Sequence, residues 1–450
     1  MESLPRDLSE KLLTWKRRER PKPILLRGPR QVGKSTAVRS LGKTYDHYIE
    51  LNLEVDRLAR MFERLPEVAP FLQGLYTRAG IAPAPHESVL LFIDEIQEAP
   101  IAIQFLRYLY EDQDHVHVIA AGSLLEFAIG RVPSFPVGRV IFEALYPLSF
   151  REFLTWTGRS LLAEKLAEVP VAAYAHPTIA EAFREYTFVG GMPEAVKQYA
   201  ATESIAELDE VYRSIWSTYQ ADLERHATTD TQRRLIRFLL ASAPKELDRF
   251  AYANFGGSGY RSRDVREGLE MMEMARIIRI VRPTISTSPP PMPHLRGRPR
   301  LQFMDTGLLN YAAGLHSETV VLDDIASVYR GRLGMHVVTQ ELIGSQKRYS
   351  YEPYFWIREN KKSNAEVDLV HQYRMELLGF EVKSGSQGRL RSLHQYVERA
   401  GSRLAIRALD NTASVEDVRT PAGHAYRLLN IPLYATAQID EYIAWALEQP

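Results

Sequence analysis

Gly28-Pro29-Arg30-Gln31-Val32-Gly33-Lys34-Ser35-Thr36 is the stretch that most limits what this chain can fold into. It fits the pattern G-x-x-x-x-G-K-[ST] and lies between a short apolar run, Ile24-Leu25-Leu26-Arg27, and the helical Ala37-Val38-Arg39-Ser40. Such a loop needs both neighbours: a buried strand that fixes its start, and a helix whose positive end faces it. Gly28 and Gly33 let backbone N–H groups close around phosphates, Lys34 would reach the β- and γ-phosphates, and the Ser35 hydroxyl would coordinate Mg²⁺. A chance glycine-rich turn would have neither flanking element. ATP and Mg²⁺ are the expected ligands, and ATP hydrolysis the expected reaction.

Further apolar runs at Val89-Leu90-Leu91-Phe92-Ile93 and at Val116-His117-Val118-Ile119-Ala120-Ala121 are separated by helix-length stretches, which predicts a parallel α/β sheet closing near Leu145–Phe150. The first of these runs ends in Asp94-Glu95. Asp94 would hold Mg²⁺ and Glu95 would polarise the attacking water. Alone, the pair could equally be a helix N-cap and its first turn; beside a phosphate loop the catalytic reading prevails. The second run ends at Gly122-Ser123. Ser123 could sense the γ-phosphate or the lytic water, or simply cap the next helix. Arg131 and Arg139, in a Pro- and Gly-containing loop, could act as an arginine finger in a neighbouring subunit.

The chain of 450 residues is too long for one ordinary core and implies several domains. Lys and Arg balance Asp and Glu, so any nucleic-acid contact would have to rest on local patches. With no cysteine, disulfides and thiolate metal sites are excluded. The start lacks the apolar run of a signal peptide, and no stretch nears about 18 uninterrupted apolar residues. A cytoplasmic, non-membrane protein is expected.

From about Arg151 to Arg225 the pattern is helical and reads as a lid, interrupted by Val189-Gly190-Gly191-Met192-Pro193. Helices over Arg233–Leu240 and Ser262–Ala275 leading into a strand at Ile277–Val281 suggest a winged helix. Ser288-Pro289-Pro290-Pro291-Met292-Pro293 and Arg296-Gly297-Arg298-Pro299-Arg300 read as an extended, solvated loop able to touch phosphates. The remainder alternates strands and helices again. Glu366-Val367-Asp368-Leu369-Val370 and Leu377–Lys383 look like two strands joined by a turn around Gln372–Arg374, with Glu381 and Lys383 on one face. An Asp facing E-x-K resembles a restriction-endonuclease-like core, in which Asp368 and Glu381 would hold Mg²⁺ and Lys383 would steady a water. Opposite charges across a hairpin can also be purely structural.

These segments, in this order, resemble the bacterial and archaeal AAA-like P-loop ATPases that carry a C-terminal domain of unknown function, number 4143. The matching stretches are the Gly28–Lys34 loop, Phe92–Gln97, Gly122-Ser123, Gly138-Arg139, Tyr146–Leu154, Gly190–Glu194, Asp305–Leu309, Glu366–Asp368 and Glu381–Lys383. The resemblance implies an AAA-type core with Lys34, Ser35, Asp94 and Glu95 in the roles above, and it favours Arg139 over Arg131 as the finger. One departure stands out. The family pattern G-x-L-x-E becomes Gly331-Arg332-Leu333-Gly334-Met335, which puts a thioether where an acid is expected, with Glu341 as a possible replacement further along that helix. The expected division is an ATPase core over 1–157, a helical lid over 158–225, a winged-helix-like domain over 226–330 and a restriction-endonuclease-like domain over 331–450. Three functions follow as alternatives: a switch whose nucleotide state controls a C-terminal module that could bind DNA, an ATP-dependent DNA nuclease, or a regulatory ATPase that contacts only protein. An arginine finger used in trans would make the chain its own oligomeric partner.

Overall fold

The computed structural model describes residues 6–64, 67–113, 115–130, 132, 134–316, 327–345, 351–359, 365–383 and 390–449. Arg131, the alternative finger, lies outside them. The chain forms two compact units: Met1–Tyr146 with Met274–Arg276, and Pro147–Glu273 with Ile277–Pro450.

The first unit is built on five parallel strands, β1 (Ile24–Arg27), β2 (His47–Asn52), β3 (Val89–Asp94), β4 (Val116–Gly122) and β5 (Ile141–Ala144), in the order β2-β3-β4-β1-β5. β3 is buried along its whole length, which explains its unbroken apolar run. Sequence reading locates β1, β3 and β4 but not the flanking strands. β2 and β5 are half-exposed edges whose mixed composition carries a weaker signal. Against one face of the sheet, Phe62, Phe71 and Phe105 meet at ring-centroid distances of 4.7–5.4 Å. Because β4 lies between β1 and β3, its carboxyl end rises between the phosphate loop and Asp94-Glu95. Ligands of open parallel sheets collect at such carboxyl ends.

The second unit opens with the helices Phe150–Trp156, Ser160–Leu166, His176–Val189, Pro193–Thr202 and Leu208–His226, matching the expected helical middle region. Helices Asp230–Ser242 and Ser262–Met274 follow, then the hairpin β6 (Ile278–Thr284) and β7 (Arg300–Phe303). The last six strands are β8 (Tyr354–Ile357), β9 (Glu366–Tyr373), β10 (Glu376–Val382), β11 (Leu404–Leu409), β12 (Ser414–Arg419) and β13 (Ala425–Pro432). They continue the hairpin into a mixed sheet ordered β12-β13-β11-β10-β9-β8-β6-β7. β6 changes partner midway: Ile278–Val281 pair with β7, and Arg282–Thr284 run parallel to β8. The strand expected at Ile277–Val281 is therefore part of a hairpin at the end of the C-terminal sheet. Arg300 is also not part of the solvated loop, because it begins β7 opposite Val281 and its side chain is largely buried.

A buried polar knot holds several segments of this unit. Asp305, 2 % exposed, caps the helix Thr306–Ala312 through the N–H of Leu308 at 2.8 Å. It also accepts the Gly191 N–H at 2.6 Å and the Tyr212 hydroxyl at 3.0 Å. Gly190 has φ +77°, and a Cβ there would meet Gly307 N at 2.6 Å, so the Gly-Gly turn is a requirement of close backbone approach. Glu341 accepts the Phe150 N–H at 3.1 Å and lies 2.8 Å from the Tyr186 hydroxyl. Its carboxylate is thus engaged in the core of the unit.

Candidate nucleotide-binding site

The loop after β1 begins at Gly28, φ +154°, where an added Cβ would come within 2.2 Å of the Leu145 carbonyl oxygen. Gln31 (φ +62°) and Gly33 (φ +91°) complete a backbone that turns its N–H groups inward ahead of the helix Lys34–Gly42. Pro29, Arg30 and Val32 lie along the turn, and Thr36 follows Ser35 in the first turn of the helix. Arg6, unmarked by any motif, braces the loop by donating to Val32 O at 2.8 Å and to Tyr146 O at 2.7 Å.

Lys34 is 7 % exposed and donates to Gly28 O at 2.9 Å and Pro29 O at 2.7 Å. Burial lowers its pKa to about 8, while the negative charges of Glu95 and Asp94 pull the other way. The Ser35 hydroxyl donates to Asp94 Oδ2 at 2.7 Å, so the two residues expected to hold Mg²⁺ are joined directly. Burial raises the Asp94 pKa above the usual carboxylate value, opposed first by this hydrogen bond.

Glu95 adopts a left-handed backbone, φ +52° and ψ +46°, between β3 and the short 3₁₀ turn Ile96–Glu98, and its side chain makes no capping bond there. A non-glycine residue in this region costs about 1 kcal/mol. Its carboxylate accepts from Gln97 Nε2 at 2.5 Å. The other face of the Gln97 amide packs on Gly122, where an added Cβ would lie 2.3 Å from Oε1. Gln97 closes the Phe92–Gln97 stretch that carries the resemblance, yet sequence reading gave it no role, since only the fold shows its amide held between Glu95 and Gly122. Ser123 is 2 % exposed and its hydroxyl has no hydrogen-bond partner among the described residues. The next helix, Leu125–Ile129, has Leu124 at its N-cap position and no side-chain cap, so Ser123 does not serve the capping alternative. Nearby, Glu126 joins Arg276 at 2.6 Å and Arg27 at 3.8 Å.

A loop that starts at a glycine closed to any Cβ, a buried ammonium, a serine–aspartate pair and a buried hydroxyl with no partner among the described residues fit a nucleoside triphosphate with Mg²⁺ on Ser35 and Asp94. Arg139 is not among these groups: it is half-exposed and donates to Glu111 at 2.8 Å.

In the second unit, the strand register Leu369↔Phe380, carried one residue on, sets Asp368 opposite Glu381. Asp368 Oδ2 accepts the Val382 N–H at 2.9 Å, and Lys383 pairs with Glu381. The three residues expected to form a nuclease-like set are thus neighbours, and Glu341 meets Phe150 N and the Tyr186 hydroxyl in the buried knot. Among the described residues, no group of three or more His, Asp or Glu side chains is arranged to hold a metal ion. Nor is any helix long and apolar enough to cross a membrane.

Residues 20–154 match the family model of an AAA domain, residues 180–319 a domain of unknown function, DUF8612, and residues 330–426 a domain of unknown function, DUF4143. A search of curated proteins finds no match. Similar solved structures include the Walker-type ATPase PABY2304 of Pyrococcus abyssi, 14% identical with a TM-score of 0.45 over 69% of this chain and 96% of that one. PCH-2 of C. elegans is 17% identical with a TM-score of 0.27 over 42% and 56% of the two chains. The Orc1 protein of Aeropyrum pernix, solved in complex with DNA, is 15% identical with a TM-score of 0.26 over 69% and 90%. All three are distant. By its sequence models, the chain combines an AAA domain with a DUF8612 middle domain and a C-terminal DUF4143 domain.

Proposed function

We propose that this protein is a cytoplasmic, Mg²⁺-dependent ATPase whose nucleotide state controls its C-terminal module, with DNA the first partner to test. The contact between Ser35 and Asp94 carries the reading, because it brings together the loop that grips phosphate and the strand that ends in acids. Lys34 binds the β- and γ-phosphates, Ser35 and Asp94 hold Mg²⁺, Glu95 orients and polarises the attacking water, and Ser123 offers its hydroxyl toward the γ-phosphate. Bound Mg²⁺ would supply charge neutralisation between the phosphates. Arg139 serves as the finger when a second copy presents it. The nuclease alternative uses Asp368, Glu381 and Lys383 in a restriction-endonuclease-like fold.

ATP turnover measured with and without single- and double-stranded DNA, beside a cleavage assay in Mg²⁺ and Mn²⁺, tests the assignment. Turnover stimulated by DNA without cleavage is the expected result. Cleavage lost in Asp368→Ala would establish the nuclease instead, and no turnover under any condition would sink the ATPase reading.

A further inference from the structure

The acid cluster on β9 and β10 already contains its cations. Arg300, at the point where β6 changes partner, pairs with Glu366 and lies 3.8 Å from Asp368 Oδ1. The same side chain donates to Asp368 O at 3.3 Å, and its guanidinium carbon sits 4.4 Å from the centre of the Phe355 ring. Arg249 takes the other oxygen of Glu366 at 2.9 Å. Lys383 takes Glu381. Each of the three acids therefore faces a cation supplied by the chain, and Arg300 alone spans two of them. A cavity of about 310 Å³ borders Asp368 and Arg300, and the facing helix lines it with Gly331, Arg332, Met335, His336 and Thr339, so the position where the resemblance expects an acid is filled by Met335. A thioether gives a hard cation no oxygen ligand.

We infer that Arg300 is the resident cation of this cluster: its guanidinium sits beside Asp368, one of the two acids a divalent ion would need, and it clasps the β6–β7 hairpin to β9. The cluster is an internal salt-bridge core and not a metal-dependent hydrolytic site. Two features support this beyond the contacts themselves. The Arg300 side chain is 17 % exposed and stacked on Phe355, so it cannot swing out to make room without uncovering that ring. A divalent cation within a few ångströms of a guanidinium would also meet strong repulsion in a site shielded from water.

The test is a count of Mn²⁺ bound per full-length chain at saturating ADP, in the wild type and in Asp368→Asn. The inference expects the same number in both, and loss of one Mn²⁺ in Asp368→Asn would overturn it. Thermal unfolding gives a second readout. Arg300→Gln should lower the midpoint by several degrees, and Asp368→Asn in the same chain should recover part of that loss, because the acid left without its arginine is then neutral. Strictly additive losses would overturn the clasp. Neither outcome touches the nucleotide site, so failure here leaves the ATPase reading standing.

Discussion

The Ser35 hydroxyl and the Asp94 carboxylate, 59 residues apart in sequence, meet at 2.7 Å. Ser35→Ala removes the only side-chain oxygen this residue can offer Mg²⁺ and leaves Asp94 buried with one fewer donor. The Mg²⁺ concentration for half-maximal ATPase activity should rise about tenfold, equivalent to about 1.4 kcal/mol. A magnesium titration at saturating ATP reads this directly, and an unchanged midpoint would separate Ser35 from the metal.

Lys34 loses its proton near pH 8 in the free protein because it is buried. ATP favours the protonated form, so its affinity should be level below that pH and weaken by up to about tenfold per pH unit above it. In Lys34→Arg the cation persists and this step should vanish. Lys34→Ala should weaken ATP about 10- to 100-fold at pH 7, the scale of one charge-assisted hydrogen bond. Isothermal titration across pH 6.5–9.5 checks all three.

Glu95→Gln should keep ATP binding and lose about 10²- to 10⁴-fold in kcat, the usual size of a general-base contribution. Gln97→Ala and Gly122→Ala should each lower kcat about tenfold with ATP affinity unchanged, the first by freeing the Glu95 carboxylate and the second by driving the Gln97 amide off it. Single-turnover kinetics beside equilibrium binding separates these effects. Equal losses in binding and turnover would assign Gln97 a structural role only.

Removal of the Glu341 carboxylate should act on stability. Glu341→Ala leaves the Phe150 N–H and the Tyr186 hydroxyl without this acceptor, at a cost of about 1–3 kcal/mol for each buried group that finds no other. Urea unfolding of the full chain is expected to show an earlier transition for the second unit, and Glu341→Gln should recover part of it.

The strongest chemistry was legible because it is local: the Gly28–Thr36 loop, the buried run into Asp94-Glu95 and the Gly122-Ser123 end each declare themselves within a few residues. What sequence reading missed depends on contacts between distant segments. Arg6 reaches the loop from 26 residues away. Arg300 reaches Asp368 across 68 residues and looked like one basic residue among several in a Pro-rich loop. Glu341 looked like a spare metal ligand because spacing on a helix does not say which face meets which neighbour. The stretches Tyr146–Leu154, Gly190–Glu194 and Asp305–Leu309 carried the resemblance without a visible reason. In the fold their residues interlock, with Leu148 N donating to Gly191 O at 2.6 Å and Gly191 N to Asp305.

The two carbonyl contacts of Lys34 decide where its charge points. Gly28 O and Pro29 O take two of the three N–H groups of the ammonium, so the third is left to point elsewhere. In the proposed reading, that single remaining donor meets the phosphates with its direction already fixed by the loop. The loop backbone thus aims the charge that the nucleotide would meet.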